Sequence, residues 1–238
     1  MPTTAAGTDV GRERDHNEDD MLVAAIDDWT VLAVADGMGG HRAGDVASET
    51  ALHGFEAALT DSLGDDCAPD DVSATLRAAV ESANERVRSR GENGREEMGT
   101  TLVGALVRDG RATVVNVGDS RAYHVSESAI DRITVDQSVV RTLVDEGMID
   151  ESEAADHPQR HVLSQALGTS ETVDPDVYER SLDGTLLLCS DGLTEEVPES
   201  TIHEIVTTTP LDTAVDRLLE AANGNGGSDN VTVVLGRE

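Results

Sequence analysis

The chain of 238 residues has no lysine; its 17 basic residues are all arginine. That absence excludes a Walker A lysine, the strand lysine of a kinase and Schiff-base chemistry. Cysteine is scarce too. Cys67 and Cys189 are too few for a disulfide framework or a zinc cage, and both are expected to be inert thiols. Aromatic residues are limited to Trp29, Phe55, Tyr123 and Tyr178, so the core must be built from Val, Leu and Ala. No apolar run approaches the roughly 18 residues that a membrane span needs. The N-terminal stretch MPTTAAGTDVGRERD lacks the apolar segment of a signal peptide. The expectation is a soluble, cytoplasmic protein with no membrane partner.

Positive charge is also in short supply. Against the 17 arginines stand 48 acidic residues, a formal net charge of −31. A basic surface for nucleic acid is therefore not expected, because phosphate neutralisation needs clustered cations. The imbalance far exceeds the magnitude of about 2–8 that keeps a small domain soluble, and in dilute buffer its self-repulsion opposes compactness. At about 1 M salt the Debye length falls to roughly 3 Å and that penalty disappears. The composition points to the cytoplasm of an extreme halophile, and the acidic coat favours a monomer.

The length suits one large domain, taken as 1–238. MLVAAID and WTVLAVADG read as strands around Asp27-Asp28. Ala43 to Leu63 reads as a helix, SLGDDCAPDD as a loop and Val72 to Arg90 as a second helix. TTLVGALV, RATVVNVGD and RAYHV follow as three strands, with Asp109-Gly110 a strong hairpin signal. From Gln137 to about Thr172 the strand pattern gives way to a small helical insertion. TLLLCSDG then supplies a strand, Ser200 to Asn223 two helices broken near Pro210, and DNVTVVLG a last strand. Strands and helices in blocks, without strict alternation, favour stacked sheets with helices outside.

Four aspartates sit at the ends of apolar runs beside small residues: Asp36 in VLAVADG, Asp119 in VVNVGDS, Asp191 in LLLCSDG and Asp229 in GGSDNVTVVLG. Buried strands would deliver these carboxylates to one rim. Carboxylates and backbone carbonyls suit Mg²⁺ or Mn²⁺, whereas zinc and copper prefer the His and Cys that these motifs lack. Near the N-terminus RDHNEDD adds Arg14, Glu18 and Asp19, and an Arg beside a metal cluster can clamp phosphate oxygens as a planar fork. Two such ions can activate a bridging water and stabilise an in-line displacement, so the chemistry indicated is phosphoester hydrolysis without a covalent intermediate. No GxSxG elbow is present, and Ser120 and Ser190, beside the key aspartates, read as turn hydrogen-bonders.

The ordered series RDHNEDD, VADGMGGHRAGDVAS, GTTLVGAL, VGDSRAY, LCSDGLTEEV and GGSDNVTVV resembles the metal-dependent PP2C (PPM) family of serine/threonine protein phosphatases, in its short bacterial form, over Thr8 to Leu235. The resemblance implies an α-β-β-α sandwich of two antiparallel sheets flanked by helices. It implies hydrolysis of phosphoserine and phosphothreonine by a water bridging two Mn²⁺ or Mg²⁺ ions. Asp36 would bridge the ions and the carbonyl of Gly37 would coordinate one. Asp191 and Asp229 would hold the other, Glu18 would act through metal-bound water, and Arg14 would bind the substrate phosphate. Asp119 would support a third, weaker ion together with Asp191. The insertion at 137–172 resembles the family's flap beside the active site. Met38 stands where eukaryotic relatives carry a His that is a candidate general acid. His41 or metal-bound water are the alternatives, and His157 is read as structural. Phosphorylated proteins and a cognate serine/threonine kinase are the implied partners. A small-molecule phosphoester phosphatase and a non-catalytic phosphoprotein-binding module are the competing readings, the latter disfavoured by the intact Asp36, Asp191 and Asp229.

The charge balance generates one expectation that needs no site. Lowering KCl from multimolar to dilute buffer should lower the circular dichroism melting temperature, as the −31 net charge loses its screening. A melt independent of KCl would refute the halophilic reading.

Overall fold

The structure, a computed structural model, describes residues 1–39, 43–63, 69–94, 98–154 and 157–237; His41 and Cys67 lie outside them. The long apolar run that ends in Asp36 forms β3 (Trp29–Met38), and its alternation explains the layers. Val31, Ala33 and Ala35 point to one side and pack under helices α1 (Ala43–Ser62) and α2 (Pro69–Gly94). Leu32 and Val34 point to the other side, into a layer shared with Leu186, Leu188 and Val234 of a second sheet. A strand covered on both faces reads as continuously apolar, which is the pattern seen in the sequence.

One sheet has the order β1 (Thr3–Asp9), β11 (Val231–Arg237), β10 (Thr185–Cys189), β7 (Arg121–Val125) and β8 (Ile130–Arg132). The other runs β2 (Asp19–Ile26), β3, β5 (Leu102–Arg108), β6 (Arg111–Val117) and β9 (Asp176–Ser181), with the short β4 (Gly99–Thr100) attached to β3. All pairings are antiparallel. The outer face of the first sheet, through Leu187, Cys189, Val231, Val233 and Leu235, is covered by α5 (Asp191–Thr194), α6 (Glu199–Thr208) and α7 (Leu211–Asn225). The architecture is the expected α-β-β-α sandwich. Within residues 137–172 lie two short helices, α3 (Val139–Asp145) and α4 (Glu151–Ala154), and α3 is capped by Ser138, whose Oγ accepts from Arg141 N–H.

Local chemistry sets the turns. Asp109 and Gly110 both take positive φ (51° and 69°), the pairing that a two-residue hairpin of the observed twist requires. Gly104 lies flat beneath Phe55: a Cβ there would stand 2.9 Å from the ring. Phe55, fully buried, fills the space between α1 and the sheet.

Three strands were not legible in the sequence. β1 (TTAAGTD), β8 (IDR) and β9 (DVYERS) lie at sheet edges, where one side and part of a face meet solvent, so they carry no apolar run. TTLVGALV is divided into β4 and β5 at Thr101, whose backbone turns to bond Asp36 instead. No helix of the described residues is long and apolar enough to cross a membrane.

Phe55→Ala should destabilise the fold by about 3–5 kcal/mol, because both the buried ring and the space over Gly104 are lost. Denaturant unfolding at fixed high KCl measures it, and a midpoint equal to that of the native chain would contradict the packing described.

Candidate functional site

The four aspartates do converge, and from both sheets. Asp36 is near the end of β3 and Asp119 follows β6 in the second sheet. Asp191 follows β10 and Asp229 precedes β11 in the first. Together with Arg14, Glu18 and Gly37 they line one cleft of about 980 Å³ at the end of the sandwich. All seven residues singled out in the sequence therefore share a single site.

The backbone beneath them is tied down by short polar side chains. Thr101 Oγ1 accepts from Asp36 N–H at 3.0 Å, and the Asp36 carbonyl accepts from Thr101 N–H and Thr100 Oγ1, each at 2.9 Å. Thr101 Oγ1 also meets Ser120 Oγ at 2.7 Å, linking the Asp36 strand end to the Asp119 turn. That turn needs Gly118: its φ is +103°, and a Cβ would stand 2.8 Å from Thr101 Cβ. Gly37 is as constrained, since a Cβ there would lie 2.1 Å from the Gly44 carbonyl oxygen at the start of α1. This close approach brings Ser48 Oγ within 2.7 Å of the Glu18 carbonyl.

Asn230 organises the segment before β2. Its Nδ2 donates to the carbonyls of Val10 (2.8 Å) and His16 (2.9 Å), and its Oδ1 accepts from Glu18 N–H at 2.8 Å. Arg14 is thereby carried to the cleft, where its Nη2 donates to Asp229 Oδ2 at 2.6 Å. Asn230 had no assigned role in the sequence reading. Nor had Asp19, which pairs with Asp36 across β2 and β3 and is buried with Ser190 Oγ donating to its Oδ2 at 2.7 Å. The signal for both was present in the NED and SDN motifs, but their burial was not. Ser190, which also accepts from Thr232 N–H, is a structural hydrogen-bonder as expected.

The electrostatics are those of too many carboxylates in too little water. Burial, followed by Asp19, Asp191 and Asp119 beside it, pushes the Asp36 carboxyl well above its ordinary range. Burial first, then the Asp191 charge, raises Asp119 to about 7; burial and Glu195 raise Asp191 to about 6; burial raises Asp19 to about 7. Glu18 is raised by burial, with Arg14 acting against it. Asp19 Oδ1 and Asp191 Oδ1 are buried without any hydrogen-bond partner. Asp36, Asp191, Asp229 and the backbone of Gly37, which line the same cleft, would offer oxygen donors, a set that fits a hard divalent cation and not a soft one.

Segment 137–172 supplies the other wall through Arg160, His161 and Ser164. His161 Nδ1 is 3.1 Å from Glu195 Oε1, and donor atoms of His161, Asp191 and Glu195 lie within 4.8 Å of one another. This grouping around Asp191 was not anticipated, because residues 161 and 195 fall in unrelated parts of the sequence. His157 lies apart from the cleft's lining, its Nδ1 accepting from Gln159 N–H at 3.2 Å. Met38 lines the cleft and carries no proton to donate.

The family model for protein phosphatase 2C matches residues 6–235. The chain belongs to the protein phosphatase 2C family. It is 38% identical over 237 residues to the serine/threonine phosphatase stp of Listeria monocytogenes, a match covering 96% of this chain and 92% of that protein. Among solved structures it is similar to serine/threonine phosphatase Stp1 from Staphylococcus aureus, with TM-score 0.93, 34% identity, and coverage of 100% of this chain and 95% of that one. The catalytic domain of the phosphatase PstP, solved in complex with two manganese ions, superposes with TM-score 0.84 at 38% identity over 99% of this chain and 97% of that one. The PP2C fold and the carboxylate-lined cleft thus coincide in one molecule.

Raised carboxylate pKa values have a definite sign in stability. The folded state holds protons on Asp19, Asp119 and Asp191 more tightly than the unfolded chain, whose value is near 3.8. Their contribution is complete below that value and is lost as pH rises through about 6 to 7. In chelator and multimolar KCl, the melting temperature should fall between about pH 5 and pH 8, and Asp119→Asn should flatten that fall. Added Mn²⁺ should raise it more at the higher pH, since protons no longer compete. Chelated protein that gains stability over this interval would overturn the assignment.

Proposed function

We propose that this PP2C protein removes phosphate from phosphoserine and phosphothreonine in proteins, and that Arg14, Glu18, Asp36, Gly37, Asp119, Asp191 and Asp229 form its machinery. The observation that carries the proposal is their convergence on one cleft, with Asp191 Oδ1 buried there and unpartnered. Two divalent cations, Mn²⁺ or Mg²⁺, would be held by Asp36, the Gly37 carbonyl, Asp191 and Asp229, with Glu18 alongside; when bound they supply water activation and neutralisation of phosphoryl charge. A third would engage Asp119 and Asp191.

The chain's own groups do the rest. Arg14 is half exposed and already donates to a carboxylate, so its planar fork can exchange Asp229 for phosphate oxygens and orient the phosphoryl group. Thr100, Thr101 and Ser48 hold the backbone through which Asp36 and Glu18 are aimed. Segment 137–172 would act as the flap: Arg160 and His161 line the cleft, His161 beside Glu195, and would meet the substrate chain next to the phosphorylated residue. Phosphorylated proteins are the partners, with a serine/threonine kinase opposing the reaction. The acidic composition supports a monomer in a salt-rich cytoplasm, and 1–238 reads as one domain with the flap inside it.

The test is phosphate release from a phosphothreonine peptide in high KCl with Mn²⁺, Mg²⁺ or chelator. Release should require metal and should fall more than about a hundredfold in Asp36→Asn. Arg14→Ala should lower kcat/KM about 10- to 100-fold, the equivalent of losing charge-assisted hydrogen bonds to phosphate. Near-native turnover in Asp36→Asn would refute the metal assignment. Faster release from small phosphoesters than from the peptide would move the reading to a metabolite phosphatase.

A further inference from the structure

Away from this cleft, at the other end of the second sheet, arginines gather without carboxylate partners among the described residues. Arg108 closes β5 and Arg111 opens β6, and the two stand directly opposite each other in the register. Paired residues share a face, so like charges are set side by side, an unfavourable arrangement for a hairpin. Arg180, on the adjacent strand β9, joins them in lining a cleft of about 580 Å³ together with Trp29, Thr113 and Ser181. Asp109 and Glu179 also line this cleft, whereas Arg180, paired with Ala112, directs its side chain to the other face of the sheet.

Those carboxylates do not neutralise them. Among the described residues the arginines in ion pairs are Arg14, Arg77, Arg88, Arg121, Arg132 and Arg141. Arg180 Nη1 donates only to the Glu179 carbonyl, at 2.8 Å. Arg108 lies over the Trp29 ring, 3.9 Å from its centroid, a contact that uses the face of the guanidinium and leaves its N–H edge open. Trp29 and Asp36 are seven residues apart on one strand, roughly 23 Å. The cleft is therefore separate from the phosphatase site.

We propose that this distal cleft binds a phosphate-type oxyanion, clamped between Arg108 and Arg111. Two forks set side by side call for a ligand that accepts hydrogen bonds on several sides. A tetrahedral phosphate does so, while a planar carboxylate serves one fork at a time. The hydroxyls of Thr113 and Ser181 add donors to the same wall. The volume suits a small ligand or a single phosphorylated side chain. Free phosphate esters and protein-borne phosphate present this same chemistry.

Trp29 is the sole tryptophan, so its fluorescence reports on the Arg108 stack directly. The experiment titrates the full chain, in chelator and high KCl so that turnover plays no part, with inorganic phosphate, glycerol phosphate, a phosphothreonine peptide and acetate. A saturable change with a phosphate ligand and none with acetate is expected. Its midpoint should shift at least about tenfold in Arg111→Gln and in Arg108→Gln, and stay put in Arg14→Ala. Arg111 is exposed, so its variant should keep the native circular dichroism spectrum and peptide turnover. Saturation by the small phosphates identifies a free ligand, and saturation by the peptide alone identifies a phosphorylated protein; either supports the site. No saturable change, an unshifted midpoint in Arg111→Gln, a shifted one in Arg14→Ala or an equal response to acetate overturns it.

Discussion

Mutual repulsion among carboxylates that the fold holds out of water is the constraint from which the rest of the structure follows. Asp19, Asp36, Asp119 and Asp191 are each raised by burial and by neighbouring carboxylates. Left to themselves these groups would part or take up protons. They are kept together by three apolar layers and by a second tier of neutral hydrogen bonds. Thr100, Thr101, Ser48 and Asn230 grip the backbone on either side of the acids. Those bonds are directed mainly at main-chain groups, and Asp191 Oδ1 is left without a partner at the cleft.

Arginine is the chain's only cation besides histidine, and its use differs between the two ends of the sheets. Behind Asp119, Arg121 grips Asp136 through both Nε (3.1 Å) and Nη2 (2.8 Å), and Arg132 reaches the same carboxylate. This half-buried fork fixes the turn that carries Asp119, a task for which a flexible ammonium would be poorly suited. At the distal end Arg108 and Arg111 make no ion pair among the described residues. A chain with few cations places some where they lock geometry and some where they remain available.

Much of this was legible before any coordinates. The runs around Asp36, Asp119, Asp191 and Asp229 announced buried strands, and the alternation of Val31, Ala33 and Ala35 against Leu32 and Val34 explains why the first of them reads as unbroken. The six ordered motifs carried the family and the α-β-β-α layering. What escaped was whatever depends on neighbours distant in sequence. β1, β8 and β9 take their structure from the strand beside them, not from their own residues. Asn230 looks like an ordinary strand-opening polar residue until Val10, His16 and Glu18 are seen around it. The meeting of His161 with Glu195 depends on how segment 137–172 folds back, which no local pattern encodes.

The acids that face one another come from different sheets: Asp36 and Asp119 from one, Asp191 and Asp229 from the other. Nothing covalent near the site sets their separation. It is set by the thickness of the aliphatic layer between the sheets, in which Leu32, Val34, Leu186, Leu188 and Val234 meet. That layer works as a spacer gauge: one methylene more or less, well away from any ligand, would widen or narrow the jaws on which the acids are mounted. Tuning of the centre, whether by selection or by design, can therefore proceed entirely through residues that never touch it.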